Sequence, residues 1–420
     1  LSINLETIII LNLEYFIAKR LITAKSYKSS ISSPIIKIAI TAIAIGIIMM
    51  IVSVATGIGL QNKIREKVAA FNGHIVIANF DDNQSQVHTQ PISINQDFYP
   101  KFKTVEGINH IQAVANKAGI IRTESSVEGI ILKGVGKDYV WTNIKEYIIE
   151  GRLPNYKDEL NEEVLISQYL ANRLHLKLGD KFNTFFMKES GKMPNLRNFK
   201  IVGIYNSGFQ EFDASYVIGD IRHVQRINKW KKNEIGAFEV FINDFTQIKE
   251  IGDKVYKEIP PTYNSVTIEE KFFSIFEFLK LFDFNIVVIL IVMIVVATIN
   301  MIVALLVLIL ERTQMIGILK ALGANNWNIR KIFLYNAAYL ISRGLLFGNL
   351  IALALLFLQK TFGIIKLNPQ NYYVSEVQVD INLLHILLLN LGTIIICLLV
   401  LLIPSYIITK ISPVKAIRFD

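Results

Sequence analysis

Apolar positions gather into four long runs: Ile38 to Leu60, Phe284 to Leu310, Ile332 to Leu358 and Leu383 to Ile408. Arg343 interrupts the third, and His385 is the only basic residue of the fourth. A helix needs about 20 apolar residues to cross a hydrocarbon core of roughly 30 Å, and core helices of soluble proteins seldom stay uncharged for more than about 18. Each run is therefore long enough to span a bilayer with some tilt. Between the first and second runs the pattern changes. Short alternating stretches rich in β-branched and aromatic residues predict strands at His74–Phe80, Gly119–Glu124, Glu128–Gly134, Lys181–Met187, Phe199–Tyr205, Ser215–Ile218, Ala237–Ile242 and Tyr263–Ile268. Three helices are interleaved. Ser167, Asp220 and Asp244 are placed to cap them, and they end near His175, Asn228 and Ile259, the last stopped by Pro260-Pro261. Polar Asp81–Pro91 reads as a flexible loop, and no internal repeat is visible.

The fold class is therefore a membrane α-helical protein with four transmembrane helices and a large periplasmic α+β domain inserted between the first and second. The expected division is an N-terminal segment with an amphipathic helix (1–33), spans at 34–60, 281–310, 332–358 and 383–408, the inserted domain at 61–280, a connector at 311–331, a short loop at 359–382 and a tail at 409–420.

Composition agrees: 52% of residues are hydrophobic and mean hydropathy is +0.40. The net charge of +9 suggests nucleic acid until its distribution is read. Residues 61–275 hold 28 Lys+Arg against 27 Asp+Glu, leaving 16 against 8 for the spans and their flanks. Nucleic acid is therefore not expected as a partner. Lys and Arg near span ends mark the cytoplasmic side. Lys19, Arg20, Lys25, Lys28 and Lys37 precede the first span, Arg312, Lys320, Arg330 and Lys331 lie between the second and third, and Lys410, Lys415 and Arg418 follow the fourth. Both termini are thus expected in the cytoplasm of a bacterial inner-membrane protein, with the inserted domain outside. The first span reads as a retained signal-anchor, since no basic region precedes the apolar patch Ile8–Leu11. Leu1 in place of Met leaves a non-standard or misassigned start open.

Catalytic chemistry is not legible. Gly134-Val135-Gly136-Lys137 has Ile131 and Asp138 where a phosphate-binding loop needs other residues. The six histidines lack metal-site spacing, and Cys397 is a lone thiol inside a span. Two segments stand out instead. In the connector, Met315, Ile318, Leu319 and Leu322 recur at helical spacing before Gly323, as in a short amphipathic helix on the membrane face. Periodicity leaves two readings open: a passive interfacial helix, or a lever gripped by a cytoplasmic protein. Between two strands, Met187 to Phe199 is longer than a tight hairpin needs. It reads either as a plain connecting tip or as a partner-docking arm presenting Met193, Pro194 and Leu196.

The stretch Glu311–Ala324, Glu-Arg-Thr-Gln-Met-Ile-Gly-Ile-Leu-Lys-Ala-Leu-Gly-Ala, resembles the signature of the FtsX-like family of ABC-transporter permeases, as do the four-span layout and the ending Ile411–Arg418. Phe16–Arg20, Glu150–Pro154 and Val164–Ser167 are similar to the lipoprotein-releasing, LolC/LolE-type branch. The resemblance implies a non-enzymatic permease that pairs with itself or a paralogue and is driven by a separate cytoplasmic ABC ATPase. ATP and Mg would sit on that ATPase, with no cofactor in this chain. It places the ATPase-coupling surface on Gln314, Met315, Gly317, Ile318, Leu319, Lys320, Leu322, Gly323 and Ala324. It places contacts to a LolA-type periplasmic carrier on Met187, Met193, Pro194, Leu196 and Arg197. The cargo it implies is an acylated lipoprotein drawn from the membrane lipids, with a cavity lined by Val52, Val54, Ile58, Val287, Leu290 and Ile291. Competing functions are a permease of the same family used for efflux or for mechanical transmission to a cell-wall enzyme, and a membrane-anchored binding protein without an ATPase. Arg343 reads as either a snorkelling or a functional charge, and Gly344 with Gly348 as a small-residue packing pair.

Overall fold

The computed structural model describes residues 13–23, 32–81, 90–124, 126–156, 159–187 and 194–412. They fall into two units. One holds the spans, with residues up to Leu60, Lys280–Ile365 and those from Val377 onward; the other holds Gln61–Leu279 together with Lys366–Glu376. The loop between spans three and four is thus not a separate piece, because its middle folds with the inserted domain.

Among the described residues, four helices are long and apolar enough to cross a membrane: Ser32–Asn72, Phe273–Glu311, Asn326–Phe362, and Leu383–Ser405 with its continuation Ile407–Lys410. The first outruns its apolar segment because Ile64, Val68 and Phe71 carry a buried stripe through the polar residues that follow Leu60. In the span unit, Ile43, Ile47, Met50, Met301, Leu305, Phe333, Leu340 and Leu401 build one core. The small-residue pair lets spans one and three approach closely. A Cβ on Gly348 would stand 1.9 Å from Ile47 Cγ2, and one on Gly344 2.7 Å from Ile43 Cβ. Spans three and four exchange side-chain amides, Asn349 Nδ2 to Asn390 Oδ1 at 2.7 Å and Asn390 Nδ2 to Asn349 Oδ1 at 2.9 Å. Arg343 lies exposed, its guanidinium 4.8 Å from the centre of the Tyr339 ring. A helix at Leu13–Thr23 packs against span three through Tyr15 on Tyr335.

The inserted unit is built on strands β1 (Ile75–Asn79), β2 (Ile92–Ser93), β3 (Ile108–Arg122), β4 (Val127–Val135), β5 (Ile148–Gly151), β6 (Glu163–Ser167), β7 (Lys181–Phe186), β8 (Asn195–Tyr205), β9 (Tyr216–Asp220), β10 (Glu234–Ile235), β11 (Ala237–Ile242) and β12 (Tyr263–Thr267). Ten form a sheet in the order β12-β1-β11-β3-β4-β9-β6-β8-β5, with β7 against β3 and β8, while β2 pairs β10. The pairs β4–β9 and β6–β8 are parallel and the others antiparallel. Helices Gln168–Leu174 and Ile221–Asn228 start where expected. Ser167 Oγ accepts from Leu170 N, and Asp220 accepts from Arg222 N. Asp244 caps a 3-10 turn, Phe245–Gln247, which runs into helix Ile248–Glu258.

Span one ends at Gly73, whose φ of +67° suits glycine; a Cβ there would meet Glu239 Cβ at 2.8 Å. The last-turn carbonyl of Phe71 accepts from the buried Lys133 ammonium at 2.5 Å. Lys133 is also bonded to Glu239 Oε1, and Gln112 donates to Glu239 Oε2 at 2.8 Å. A cation at a helix C-terminus is favoured by the helix dipole, and the carboxylate neutralises it.

Candidate functional site

The connector is built by local rules. Thr313–Ala321 forms a helix, and the chain stops at Gly323 with φ +91°. Gly323 N donates to Lys320 O and Ala324 N to Leu319 O, both at 3.0 Å, closing the helix end. Asn325 then accepts from Asn328 N at 2.8 Å and caps span three.

This geometry divides the proposed coupling residues by face. Ile316 and Gly317 are buried, and Met315, Leu319 and Ala324 pack on the span core. Gln314, Ile318, Leu322 and Gly323 face outward, Ile318 being 48% and Leu322 79% exposed. Trp327, 49% exposed, extends this ridge. Lys320 turns inward: its ammonium donates to the carbonyls of Ile408 at 2.6 Å, Ile411 at 2.8 Å and Thr409 at 3.4 Å, and burial lowers its pKa. Arg330 does the same one step along. Its Nε reaches Ser405 Oγ at 3.0 Å and its Nη2 reaches Leu402 O at 2.8 Å, with the guanidinium 5.3 Å from the centre of the Trp327 ring. Sequence reading used Arg330 only as a marker of the cytoplasmic side and gave Ser405 no role. The available signal was Pro404, which interrupts the hydrogen-bond ladder near the end of its helix and so marks an irregular helix end beside these acceptors.

The arm differs from expectation. Pairing of β7 and β8 begins at Phe186–Asn195, so Leu196 and Arg197 are ladder residues and the loop is shorter than Met187–Phe199. Met193 lies outside the described residues. Leu196 stands in a cross-strand row with Phe185 and Ile120, half exposed beside the exposed Met187 and Pro194. Arg197 points to the other face, near His223, whose pKa is lowered by burial and, to a lesser extent, by this guanidinium.

The six cavity candidates occupy different environments. Val52 and Leu290 pack on the span core and Val54 is buried, whereas Val287 and Ile291 are exposed on span two and Ile58 is half-buried. Three histidines of the inserted unit are engaged with backbone. His74 Nδ1 accepts from Ile242 N at 3.1 Å, His110 Nε2 bonds Asp138 O at 2.8 Å, and His223 Nε2 bonds Asn161 O at 3.0 Å. Burial holds His74 down to about 4. Among the described residues, no three His, Cys, Asp or Glu side chains converge to hold a metal.

Two family models match. FtsX-like permease C-terminal covers residues 287–413, and MacB-like periplasmic core domain covers residues 38–255. The lipoprotein-releasing system transmembrane protein LolC of Buchnera aphidicola subsp. Schizaphis graminum (strain Sg) is 23% identical over 405 residues, covering 92% of this chain and 94% of that one. The LolE protein of Haemophilus influenzae (strain ATCC 51907 / DSM 11121 / KW20 / Rd) is 20% identical over 423 residues, covering 97% and 99%. The periplasmic region of MacB from Actinobacillus actinomycetemcomitans superposes with a TM-score of 0.33 at 16% identity, over 48% of this chain and 91% of that one. With four helices long and apolar enough to cross a membrane among the described residues, a sheet-rich domain inserted in the chain between the first and second, and matches to both family models, the chain belongs to the FtsX-like permeases that carry a MacB-like periplasmic core domain.

Proposed function

We propose that this permease is a subunit of a lipoprotein-releasing ABC transporter, with its termini and connector in the cytoplasm and its inserted domain in the periplasm. The observation that carries the reading is the outward ridge of Gln314, Ile318, Leu322 and Trp327 on a connector whose other face is fastened to the span bundle. Apolar side chains gain nothing from water, and a short helix that presents them while anchored behind suits a groove on an ATPase subunit. The LolC and LolE relatives support lipoprotein as the cargo. Moving an acyl chain out of hydrocarbon costs about 0.8 kcal/mol per methylene, which is why a motor is needed.

In this reading Val287 and Ile291 face a second permease, itself or a paralogue, and complete an acyl-binding wall backed by Val52, Val54, Ile58 and Leu290. The row of Ile120, Phe185 and Leu196 with Met187 receives the periplasmic carrier. The test is co-purification from membranes. The double variant Ile318→Asp with Leu322→Asp should lose the ATPase subunit while retaining the thermal profile of the chain, because both side chains are exposed. An ATPase that stays bound to this variant, or a cysteine at Leu322 labelled only from the periplasm, overturns the proposal.

A further inference from the structure

Span four does not end as an uninterrupted helix. Pro404 removes one donor, the Tyr406 amide turns to Ile403 O at 3.1 Å, and a short turn, Ile407–Lys410, follows. Leu402 O therefore loses the amide it would normally receive, and the carbonyls of Ile408, Thr409 and Ile411 lie at a helix end, where intrahelical donors run out. Both sets of acceptors are met by cations from the connector and the first turns of span three. Lys320 serves Ile408, Thr409 and Ile411, and Arg330 serves Leu402 together with Ser405 Oγ. Ser405 Oγ itself donates to Leu402 O at 2.8 Å. Charged donors on carbonyls at a helix end form strong and directional contacts, and the helix dipole adds to their hold.

We infer that Lys320 and Arg330 are positioning residues that make the end of span four travel with the connector, so that one push on the outer ridge moves spans three and four together. The inference rests on the motor reading above. Lys320 lies on the opposite face of the connector helix from Ile318 and Leu322, so a force applied to the ridge passes through the helix to the end of span four without crossing the long axis of span three. Ordinary apolar packing would let the two elements slip. Four hydrogen bonds to backbone and one to the Ser405 hydroxyl oppose that slip, because breaking them leaves polar groups unpaired at the membrane face.

The experiment is hydrogen–deuterium exchange on the purified full complex, nucleotide-free and vanadate-trapped, following peptides that cover 313–324 and 402–411. In the wild type, protection of both peptides should shift together between the two states. In Lys320→Met with Arg330→Met, the connector peptide should still respond while the 402–411 peptide exchanges about tenfold faster and no longer follows nucleotide. Lys320→Arg with Arg330→Lys, which keeps charge and donors, should restore the joint response; simple fraying would not be rescued selectively in this way. A 402–411 peptide that still tracks nucleotide in the double Met variant refutes the inference alone. A connector that never responds to nucleotide in the wild type refutes the motor reading, and the inference with it.

Discussion

Replacing Glu239 with Gln is the sharpest test of how span one is held at its end. Lys133 is 1% and Glu239 4% exposed, and their side chains meet at 2.5 Å beside Phe71 O. Glutamine preserves size and can still accept from Gln112, but it leaves the Lys133 ammonium with one carbonyl and the Tyr139 ring, 5.7 Å from its centroid. Breaking a buried ion pair by removing one partner costs about 3–5 kcal/mol, because the surviving charge stays desolvated. With a urea slope of about 3 kcal/mol/M, the unfolding midpoint of the inserted domain should fall by about 1–1.7 M. Lys271, whose pKa is already lowered by burial and raised in part by Glu239, would lose that compensation too. Pulse proteolysis of the full chain in detergent across a urea series reads the midpoint. Lys133→Met should cost a similar amount, whereas Lys133→Met with Glu239→Leu should recover most of it, since paired apolar replacement of a buried ion pair is often neutral or better. A loss below about 1 kcal/mol for Glu239→Gln, or a double variant no better than the sum of the singles, would refute the reasoning.

Other expectations follow from single contacts. Gly348→Ala forces a methyl into Ile47 and should lower bundle stability by about 1–3 kcal/mol in a denaturant titration; Gly392→Ala, with nothing within 4 Å of its added Cβ, should be neutral. His74 is held down to about 4 from an ordinary 6.5, so the unfolded chain takes up its proton first as pH falls. Stability should be intact above about pH 6.5 and decline towards pH 4, by at most about 3 kcal/mol, and His74→Gln should flatten that slope. Met187→Asp with Leu196→Asp should weaken carrier binding about tenfold or more without displacing the ATPase; unaltered carrier binding removes the hairpin from the account.

The parts legible in the sequence are those governed by local rules. Hydrocarbon demands unbroken apolar runs, so the four spans were visible, and Ser167, Asp220, Asp244 and Gly323 mark helix ends through chemistry within a few residues. Strand β6 was not read because Val164, Leu165 and Ile166 are all buried, with a parallel neighbour on one side, and a strand covered on both faces does not alternate. The first half of β3 was hidden by Gln112 and Lys117, polar residues that are buried in the fold. The faces of the connector needed coordinates. The family resemblance places Lys320 with its neighbours on the coupling surface, yet its acceptor at Ile408 lies 88 residues away in the chain. Likewise Leu196 and Arg197 looked like neighbours on one arm until strand pairing sent them to opposite faces.

The reciprocal amides of Asn349 and Asn390 constrain how the bundle can work. Each carboxamide both gives to and receives from the other, while also donating to its own helix at Leu345 O and Ile386 O. A slide of one helix along the other by a single residue, about 1.5 Å, would part both amides where no water waits to replace them. Sliding is therefore the expensive motion and rocking about the asparagines the inexpensive one, so conformational cycles of this permease should swing spans three and four as a pair rather than shear them.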